Sequence, residues 1–412
     1  MGGFSAERHI SVESGRNVYE KLASSGSYTP VPIFLTGTPT AHELFILPIQ
    51  ILLKDSADDI HEKLKHTSTS QTNDAAAAKA MVQKYVGSFT QHPIAISYQE
   101  LSQHVDSIFI ALHGRPGEDG TIQAMLEQQN IPYNGSGVLA AAMTIDKYVT
   151  NRFLHQHGVH VANQLVVTRD QWQNNRTATI ELIEANFQYP FITKPVDDGC
   201  SVGVLKIQDR DMLVTYAQSI CREEATISSD AAEKLGLKPH TAFPTYERFL
   251  LEDLLEKGTA DHFLEITGGL LTHLDKAGNR QYEMLEPSEV VAMGDILSLE
   301  EKFLAGEGKN ITPARFHPSP IQNTAISQQV RQDLQQVAAL LNIEGYARID
   351  AMVKIYPTHV ETWIIEVNTL PALTPATCIF HQCAVNGYKP LDFIHTIIQY
   401  GLQTLKKNTL NN

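Results

Sequence analysis

The chain has 412 residues, of which 42% are hydrophobic and 19% charged, a composition typical of a folded protein with room for two or three domains. Its 32 Lys and Arg residues against 46 Asp and Glu residues give a net charge of −14, which excludes a general nucleic-acid or membrane surface. The sequence shows neither a membrane-length apolar stretch nor a leader-like pattern. Four cysteines without CxxC spacing do not make a disulfide framework, so we expect a reduced, cytoplasmic setting.

The first residues have the pattern of a glycine-rich turn that follows a strand and opens a helix, although only Met1 precedes it. We therefore expect the first strand to lie upstream of Met1, in a longer form of the protein. Helical periodicity follows over residues 11–23, and residues 31–36 predict the next strand. Residues 45–54 are apolar enough for a further strand or turn of core. Residues 55–91 are polar and predict an inserted helix–loop excursion with little core and no assigned chemistry.

Residues 107–112 predict a buried strand that ends in the glycine-rich loop 113–120, HGRPGEDG. In a doubly wound sheet, ligands bind beyond the carboxyl ends of the strands, and glycines let the backbone turn sharply beside a ligand. By itself such a loop is weak evidence. The alternative is that His113 is a loop histidine with local hydrogen bonds.

After a linker at residues 135–137, a predicted helix carries Lys147 in its first turns and ends at Gly158. Strands are expected over residues 161–168 and 190–195, the second of them carrying Lys194. In the loop that follows, residues 197–204, two glycines flank small residues. This pattern lets consecutive N–H groups face one anion, and Lys194 adds a positive charge.

Two short runs near the C-terminus contain most of the candidate chemistry. Both are rich in β-branched and aromatic residues, and the turn signal at residues 356–359 predicts that they form a hairpin. Because strand side chains alternate between faces, Arg348 and Asp350 share one face, and Glu366 and Asn368 share one face of the partner strand. Hard oxygen ligands of this kind suit Mg²⁺ beside a nucleotide. The alternative is a set of solvated polar positions on an open sheet face.

Taken together, these motifs resemble the D-alanine:D-alanine ligase family of the ATP-grasp superfamily, over residues 2 to about 402. The resemblance rests on the runs Gly345–Asp350 and Glu366–Pro371 and on the HGxxGEDG loop. It implies an α/β ATP-grasp fold with a doubly wound N-terminal domain at 1–135. A central lid domain at 136–250 and a C-terminal domain at 251–412, with the metal and substrate site, would follow.

The resemblance also implies an activity, the ATP-dependent ligation of two D-alanines to D-alanyl-D-alanine through an acylphosphate, for peptidoglycan precursor synthesis. The implied cofactors are ATP and Mg²⁺, as two ions with Mn²⁺ as a substitute, and the implied assembly is a homodimer. The implied site residues are, for catalysis, Glu7, Arg348 and Ser201; for substrate binding, His113, Cys200, Phe303, Ala372 and Thr377; for ATP, Lys147, Lys194, Glu247, Arg248, Phe249, Leu250, Lys302, Met352 and Ile365; and for metal, Asp350, Glu366 and Asn368.

Specific tasks follow for some of these residues. Glu7 would hold the ammonium group of the first amino acid, and Arg348 with an N–H group near Ala372 would hold the tetrahedral oxyanion. The backbone of residues 245–250 would pair with the adenine edge. Thr377 would receive the carboxylate of the second substrate.

Three positions depart from the family pattern. Cys200-Ser201 stands where the flap usually has Ser-Ser, Phe303 stands where the lid usually has tyrosine, and Ala372 replaces a glycine. A thiol is a weak hydrogen-bond donor and phenylalanine has none, so the usual hydroxyl latch is incomplete. D-Lactate, which carries no ammonium group, is therefore an alternative second substrate, as is another D-amino acid. A non-catalytic ATP-binding protein is a third hypothesis, against which the complete set of four polar residues on the hairpin argues.

Overall fold

Three sheets organise the residues that the computed structural model describes, which are 1–67, 92–197, 203–237, 243–291 and 309–410. The helices are α1 (Arg8–Ser24), α2 (Ile49–Lys54), α3 (Ala57–Thr67), a 3-10 helix (Tyr98–Gln103), α4 (Thr121–Gln128), α5 (Val138–Thr144), α6 (Lys147–Gln156), α7 (Arg169–Asn174), α8 (Arg176–Asn186), α9 (Arg210–Ile220), α10 (Ser229–Lys234), α11 (Pro320–Leu340), α12 (Cys378–Val385) and α13 (Pro390–Leu410). The strands are β1 (Ile33–Thr38), β2 (Ala41–Ile46), β3 (Ile94–Ile96), β4 (His160–Val161), β5 (Gln164–Thr168), β6 (Phe191–Pro195), β7 (Leu205–Ile207), β8 (Arg248–Asp253), β9 (His262–Leu274), β10 (Arg280–Met284), β11 (Ser288–Val291), β12 (Lys309–Ile311), β13 (Tyr346–Ile355) and β14 (Val360–Asn368).

The N-terminal sheet is an antiparallel meander in the order β1-β2-β3. Among the described residues, the parallel pairing expected of a doubly wound sheet is reduced here to two isolated bridges, Gly2 with Leu35 and Ile108 with Tyr133. Leu35 N donates to Met1 O and Gly3 N donates to Leu35 O, each over 2.9 Å, so Met1–Gly3 lie beside β1. Gly2 has φ +94°, and a Cβ there would lie 2.7 Å from Leu35 O, so this approach requires glycine.

Residues 107–112, the predicted buried strand, form no strand pairing apart from the single bridge at Ile108. Side chains replace the missing ladder. Asn134 accepts from Ile110 N and donates to Ile110 O, and Ser11 Oγ donates to Ala111 O over 2.7 Å. The predicted strand is therefore wrong, because side-chain amide and hydroxyl groups satisfy a backbone that a neighbouring strand would otherwise pair.

The polar stretch after β2 is more ordered than its composition suggests. Residues 45–54 contain the end of β2 and the helix α2, and α3 then buries Ala57, Ile60 and Leu64 against Phe34 and other core residues. These three positions form one helical stripe, since they are three and four residues apart. The predicted lack of core is wrong for residues 57–67, and residues 68–91 lie outside the described part of the chain.

The other two sheets have separate cores. The four-stranded sheet β5-β8-β6-β7 packs around buried aromatic side chains such as Tyr216 and Phe249. The seven-stranded sheet runs β12-β11-β9-β13-β14-β4, with β10 on β9, and buries the apolar face of α11. Helix α11 approaches β9 closely at Gly268, where an added Cβ would lie 2.5 Å from Leu334 Cδ1 of the helix.

Packing groups the chain differently from the predicted domain boundaries at residues 135 and 250, which stay predictions. Leu154 of α6 and Val161 of β4 lie in the core of the seven-stranded sheet, and β4 pairs in parallel with β14. The core of the N-terminal sheet also includes side chains of α12 and α13. Leu22 of α1 and Phe393 of α13, for example, belong to one cluster. None of the helices in the described ranges has the length and apolar character needed to cross a membrane.

Candidate active site

The site is built on the β13–β14 hairpin, whose two strands are paired as predicted around the turn at residues 356–359. Arg348 lies opposite Asn368, and Asp350 lies opposite Glu366. The register then shifts, so that Ala351 faces Ile364 and Ile365 is an extra residue on β14. A β-bulge of this kind is common beside active sites, where it redirects a side chain.

The polar side chains of the hairpin share one space. The Arg348 guanidinium donates to Asp350, with Nε 3.0 Å from Oδ1 and Nη2 2.8 Å from Oδ2. The same Nη2 lies 3.7 Å from Glu366 Oε1, and Lys147 Nζ lies 3.6 Å from Glu366 Oε2. Burial by itself would lower the pKa of Arg348, but the nearby negative charges, Asp350 above all, outweigh it and raise that pKa further. Arg348 therefore stays charged.

A divalent cation fits this donor set. Asp350 and Glu366 supply carboxylates and Asn368 supplies an amide beside Glu366, with Nδ2 3.5 Å from Oε1. No cluster of three or more His, Cys, Asp or Glu side chains arranged for a metal occurs among the described residues, since this set has only two acidic members. Mg²⁺ commonly completes its coordination with water and phosphate oxygens, so the chemistry of two carboxylates and one amide oxygen is compatible with a magnesium site, which stays a prediction.

Lys194, a predicted phosphate ligand, is buried on β6 with its side chain only 6% exposed. Its Nζ lies 2.5 Å from Glu252 Oε2, and Glu252 also accepts from Gln164 Nε2 over 3.0 Å. Sequence reasoning missed Glu252. The available signal was that this glutamate directly follows the apolar run Phe249–Leu251. A charged side chain in such a buried stretch needs a partner.

The structure contradicts the predicted pairing of residues 245–250 with adenine. Phe249 and Leu250 are fully buried in β8, between β5 and β6, so their N–H and C=O groups are directed at neighbouring strands. Arg248 instead pairs its side chain with Asp146 over 3.0 Å, and Glu247 pairs with Arg169 at the surface. The strand ends at Asp253, and residues 254–257 continue the chain without strand pairing.

Of the remaining ATP residues, Met352 is half-buried on β13 and pairs with Trp363, and Ile365 is the bulged residue. Their predicted contact with the adenine ring stays a prediction. Cys200, Ser201, Lys302 and Phe303 lie outside the described residues, so their assigned roles also stay predictions.

Glu7 is buried at the start of α1, close to a second carboxylate that sequence reasoning missed. Glu118 Oε2 accepts from Gly114 N over 2.7 Å, and Oε1 accepts from Leu370 N over 3.3 Å. Burial, and then the charge of Glu7, raise the pKa of Glu118 to about 7, against the opposing effect of its backbone donors and Arg348. The signal was present in the HGxxGEDG loop, whose glutamate follows the glycine turn.

His113 has protein partners on both ring nitrogens. Nδ1 lies 2.9 Å from Leu370 O, and Nε2 lies 2.9 Å from Ser14 Oγ. Burial lowers its pKa to about 4, so the ring is neutral at neutral pH. The loop histidine is therefore hydrogen-bonded within the protein, but its partners are distant in sequence, so the alternative of local hydrogen bonds is wrong. The predicted substrate contact stays a prediction.

Ala372 and Thr377 lie on the loop between β14 and α12, and both are buried. Thr377 Oγ1 donates to Thr374 O over 2.9 Å, so its hydroxyl has a local partner. Thr377 is also the residue that precedes α12. Its predicted contact with a substrate carboxylate stays a prediction.

Comparisons with known proteins identify the family of this chain. A model described as "D-ala D-ala ligase N-terminus" matches residues 1–136, and one described as "D-ala D-ala ligase C-terminus" matches residues 153–232 and 261–399. The D-alanine–D-alanine ligase of Leptospira interrogans serogroup Icterohaemorrhagiae serovar Lai is 29% identical over 410 residues, covering 98% of this chain and 97% of the relative. That of Pelodictyon phaeoclathratiforme is 25% identical and covers 98% and 97%.

Solved structures show the same fold. The VanG D-Ala:D-Ser ligase from Enterococcus faecalis superposes with a TM-score of 0.65 at 20% identity, covering 97% of each chain. The D-alanine–D-alanine ligase from Bacillus anthracis complexed with ATP gives a TM-score of 0.59 at 18% identity, covering 99% of this chain and 97% of that one. The C-terminal family model alone spans more than half of the chain. The chain therefore belongs to the D-alanine–D-alanine ligase family and has its ATP-grasp fold.

Proposed function

We propose that this chain joins two D-alanine molecules into D-alanyl-D-alanine, with conversion of ATP to ADP and phosphate. Family membership supports the proposal, and one observation carries it. The charged group of Arg348 sits against Asp350 and close to Glu366, with Lys147 on the far side of Glu366. This cluster combines a metal-binding donor set with a fixed cation, which a protein that only binds ATP does not need.

In the first step, the carboxylate of one D-alanine attacks the γ-phosphorus, and the bond to the bridging oxygen of ADP breaks. Glu7 holds the ammonium group of this D-alanine, and Lys147 and Lys194 neutralise phosphate charge. Asp350, Glu366 and Asn368 would hold two Mg²⁺ ions, or Mn²⁺ in their place, and the bound metal would supply positive charge against the charge that develops on the phosphoryl group. The product is an acylphosphate.

In the second step, the amine of another D-alanine, after losing a proton, attacks the acyl carbon, and phosphate leaves. Arg348 and the N–H group of Ala372 stabilise the tetrahedral oxyanion. Preorganised donors are the largest catalytic contribution in acyl transfer, and losing one typically costs about 2.7 to 4 kcal/mol. Thr377 receives the carboxylate of this second D-alanine.

For adenine, we infer a position against residues 254–257. These residues continue β8 past the point where neighbouring strands pair with it, next to the buried Lys194–Glu252 pair. Leu254 and Leu255 are half-buried there and offer both apolar surface and backbone groups. The homodimer, the cytoplasmic location and the role in peptidoglycan precursor synthesis rest on the family alone.

A second candidate function is D-alanine:D-lactate ligation. It is favoured by Phe303 and Cys200, which weaken the hydroxyl latch over the second substrate. A hydroxy acid carries no ammonium group, so its nucleophilic oxygen is available at a pH at which an amine is still protonated. Its hydroxyl proton leaves as the ester bond forms and phosphate departs, and positioned proton transfer is typically worth about 10²- to 10⁴-fold.

The deciding experiment measures ADP release with D-alanine alone and with D-alanine plus D-lactate, from about pH 6 to pH 9, where amines deprotonate. Products are identified by mass. A dominant dipeptide at every pH supports the first proposal, and a depsipeptide at low pH supports the second. ATP binding without ADP release for any pair would contradict both and favour a non-catalytic ATP-binding protein.

A further inference from the structure

The loop between β14 and α12 is held at its backbone by side chains from the distant N-terminal part of the chain. Two of its residues, Leu370 and Leu373, flank Pro371 and Ala372. Each of these two leucines has both its N–H and its C=O group bonded to an N-terminal side chain. More than 250 residues separate the partners in each case.

At Leu370, both partners come from the HGxxGEDG loop. Glu118 Oε1 accepts from Leu370 N over 3.3 Å, and His113 Nδ1 lies 2.9 Å from Leu370 O. A carbonyl oxygen can only accept, so Nδ1 must carry the proton. Since the ring is neutral, Nε2 is then an acceptor.

At Leu373, both partners come from α1. Ser14 Oγ accepts from Leu373 N over 3.0 Å, and Asn17 Nδ2 donates to Leu373 O over 2.7 Å. Ser14 and Asn17 are three residues apart, so they share one face of the helix. Ser14 is also 2.9 Å from His113 Nε2 and must donate to it.

These bonds form one directed chain. The N–H of Leu373 donates to Ser14, Ser14 donates to Nε2 of His113, and Nδ1–H of His113 donates to Leu370 O. Ser14 and His113 are buried, so water does not compete for these bonds. Each donated hydrogen in this series of hydrogen bonds therefore has one possible position.

We propose that Ser14, Asn17, His113 and Glu118 are positioning residues that form a clamp on the backbone of residues 370–373 and thereby place the N–H group of Ala372 for oxyanion binding. The inference rests on the proposed function, because that function assigns the oxyanion to Ala372. Pro371 has no N–H group, so Ala372 carries the first free donor between the two clamped residues. His113 then acts through the loop and does not touch the substrate.

Two substitutions separate this role from a substrate contact. Asparagine places its amide nitrogen near the position of Nδ1, so His113→Asn keeps a donor for Leu370 O. Glutamine places its amide near Nε2, so His113→Gln loses that donor. We expect His113→Gln and Ser14→Ala to lower kcat by about 10²-fold, the effect of a misplacement of about 1 Å, with little change in the KM for ATP. The kcat of His113→Asn should stay much closer to that of the unchanged protein.

Hydrogen exchange of the peptide that contains residues 370–373 gives a readout that does not need activity. Exchange should speed up in His113→Gln and Ser14→Ala and should change little in His113→Asn. The matched control is His61→Asn, because His61 bonds to Thr36 in the same N-terminal part of the chain. A melting curve of each variant identifies any general loss of folding.

The outcomes are distinct. Unchanged exchange in His113→Gln overturns the clamp, as does an equal loss of kcat in the asparagine and glutamine variants. A rise in the KM for D-alanine with kcat retained would also overturn it, because that pattern indicates direct substrate contact. If the unchanged protein releases no ADP while exchange responds as expected, the proposed function fails and the clamp remains.

Discussion

Arg348 is the residue at which the charges of the site converge. Its side chain is 15% exposed, it donates to Asp350 through Nε and Nη2, and Glu366 lies just beyond hydrogen-bond distance. Planar guanidinium geometry matters here as much as charge, because only arginine can present a fixed fork of donors to a carboxylate. The same planar group can hold Asp350 and a developing oxyanion at once.

Arg348→Lys should therefore lower kcat for dipeptide formation by about 10²- to 10³-fold, the usual effect of losing one oxyanion donor. The KM for ATP should change little, since Lys147 and Lys194 remain. Steady-state ADP release measures both quantities. The control is Arg315→Lys, in an exposed ion pair with Glu289. A rise in the KM for ATP with kcat retained would contradict the assigned role.

Glu118 links the site to the pH dependence of stability. Its pKa in the folded state, about 7, lies above its ordinary value of 4.5. The folded state thus binds this proton more tightly than the unfolded state. The resulting stabilisation is fully present below the unfolded pKa and is lost as the pH rises through about 7.

Glu118→Gln removes this titration, so the free energy of unfolding of the variant should fall less steeply between about pH 4.5 and 7. Urea denaturation at several pH values within this window measures the slope. Glu20→Gln, at an exposed position of α1, serves as the control and should leave the slope unchanged. Parallel slopes for Glu118→Gln and the unchanged protein would contradict the raised pKa.

At the level of elements, helix α6 shows how a cap places a functional side chain. Asp146 precedes the helix, and its Oδ1 accepts from Val149 N over 2.9 Å while Oδ2 pairs with Arg248 over 3.0 Å. Lys147 is the first residue of the helix, with its amine 3.6 Å from Glu366. The cap therefore connects the helix start to the charge cluster of the hairpin.

Asp146→Ala should destabilise the protein by about 1 kcal/mol through the lost cap and should weaken ATP binding, because the first turn that carries Lys147 loosens. Asp146→Asn keeps a strong capping group and removes only the charge, so it should retain most stability and affinity. Denaturation and ATP titration measure the two effects. Equal losses in both variants would assign the effect to the Arg248 ion pair.

At the level of the whole molecule, the chain has cores that do not follow its order in sequence. The β5–β8 sheet has its own core, whereas α12 and α13 complete the core of the N-terminal sheet. Phe393, fully buried on α13, belongs to the same cluster as Leu22 and Leu35. A destabilising substitution near the C-terminus should therefore also destabilise the N-terminal sheet.

Phe393→Ala should destabilise the shared core by about 3 to 5 kcal/mol. Native-state hydrogen exchange should show this loss in β1 and β2 as well as in α13, but not in β5 to β8. Phe249→Ala, at an equally buried position of the separate core, should show the reverse pattern. Loss confined to α13 would contradict a shared core.

The sequence by itself determined the features that follow from the periodicity of residues along single strands and helices. Alternation along two strands predicted the shared face of Arg348, Asp350, Glu366 and Asn368, and the structure confirms their proximity. Helix α1 and the helix that begins at Lys147 were predictable for the same reason. Each of these features depends on residues that lie close together in the sequence, within one helix or one hairpin.

Only the tertiary structure decided which distant groups complete the site. The partners of His113 and Lys194, the strand burial of Phe249 and the missing ladder beside Ile110 all depend on segments far apart in the sequence. Residue type determines which hydrogen bonds a side chain can make, but the packing of sheets and loops determines which partner it meets. The clamp on Leu370 and Leu373 exists because that packing brings α1 and the HGxxGEDG loop to the end of β14.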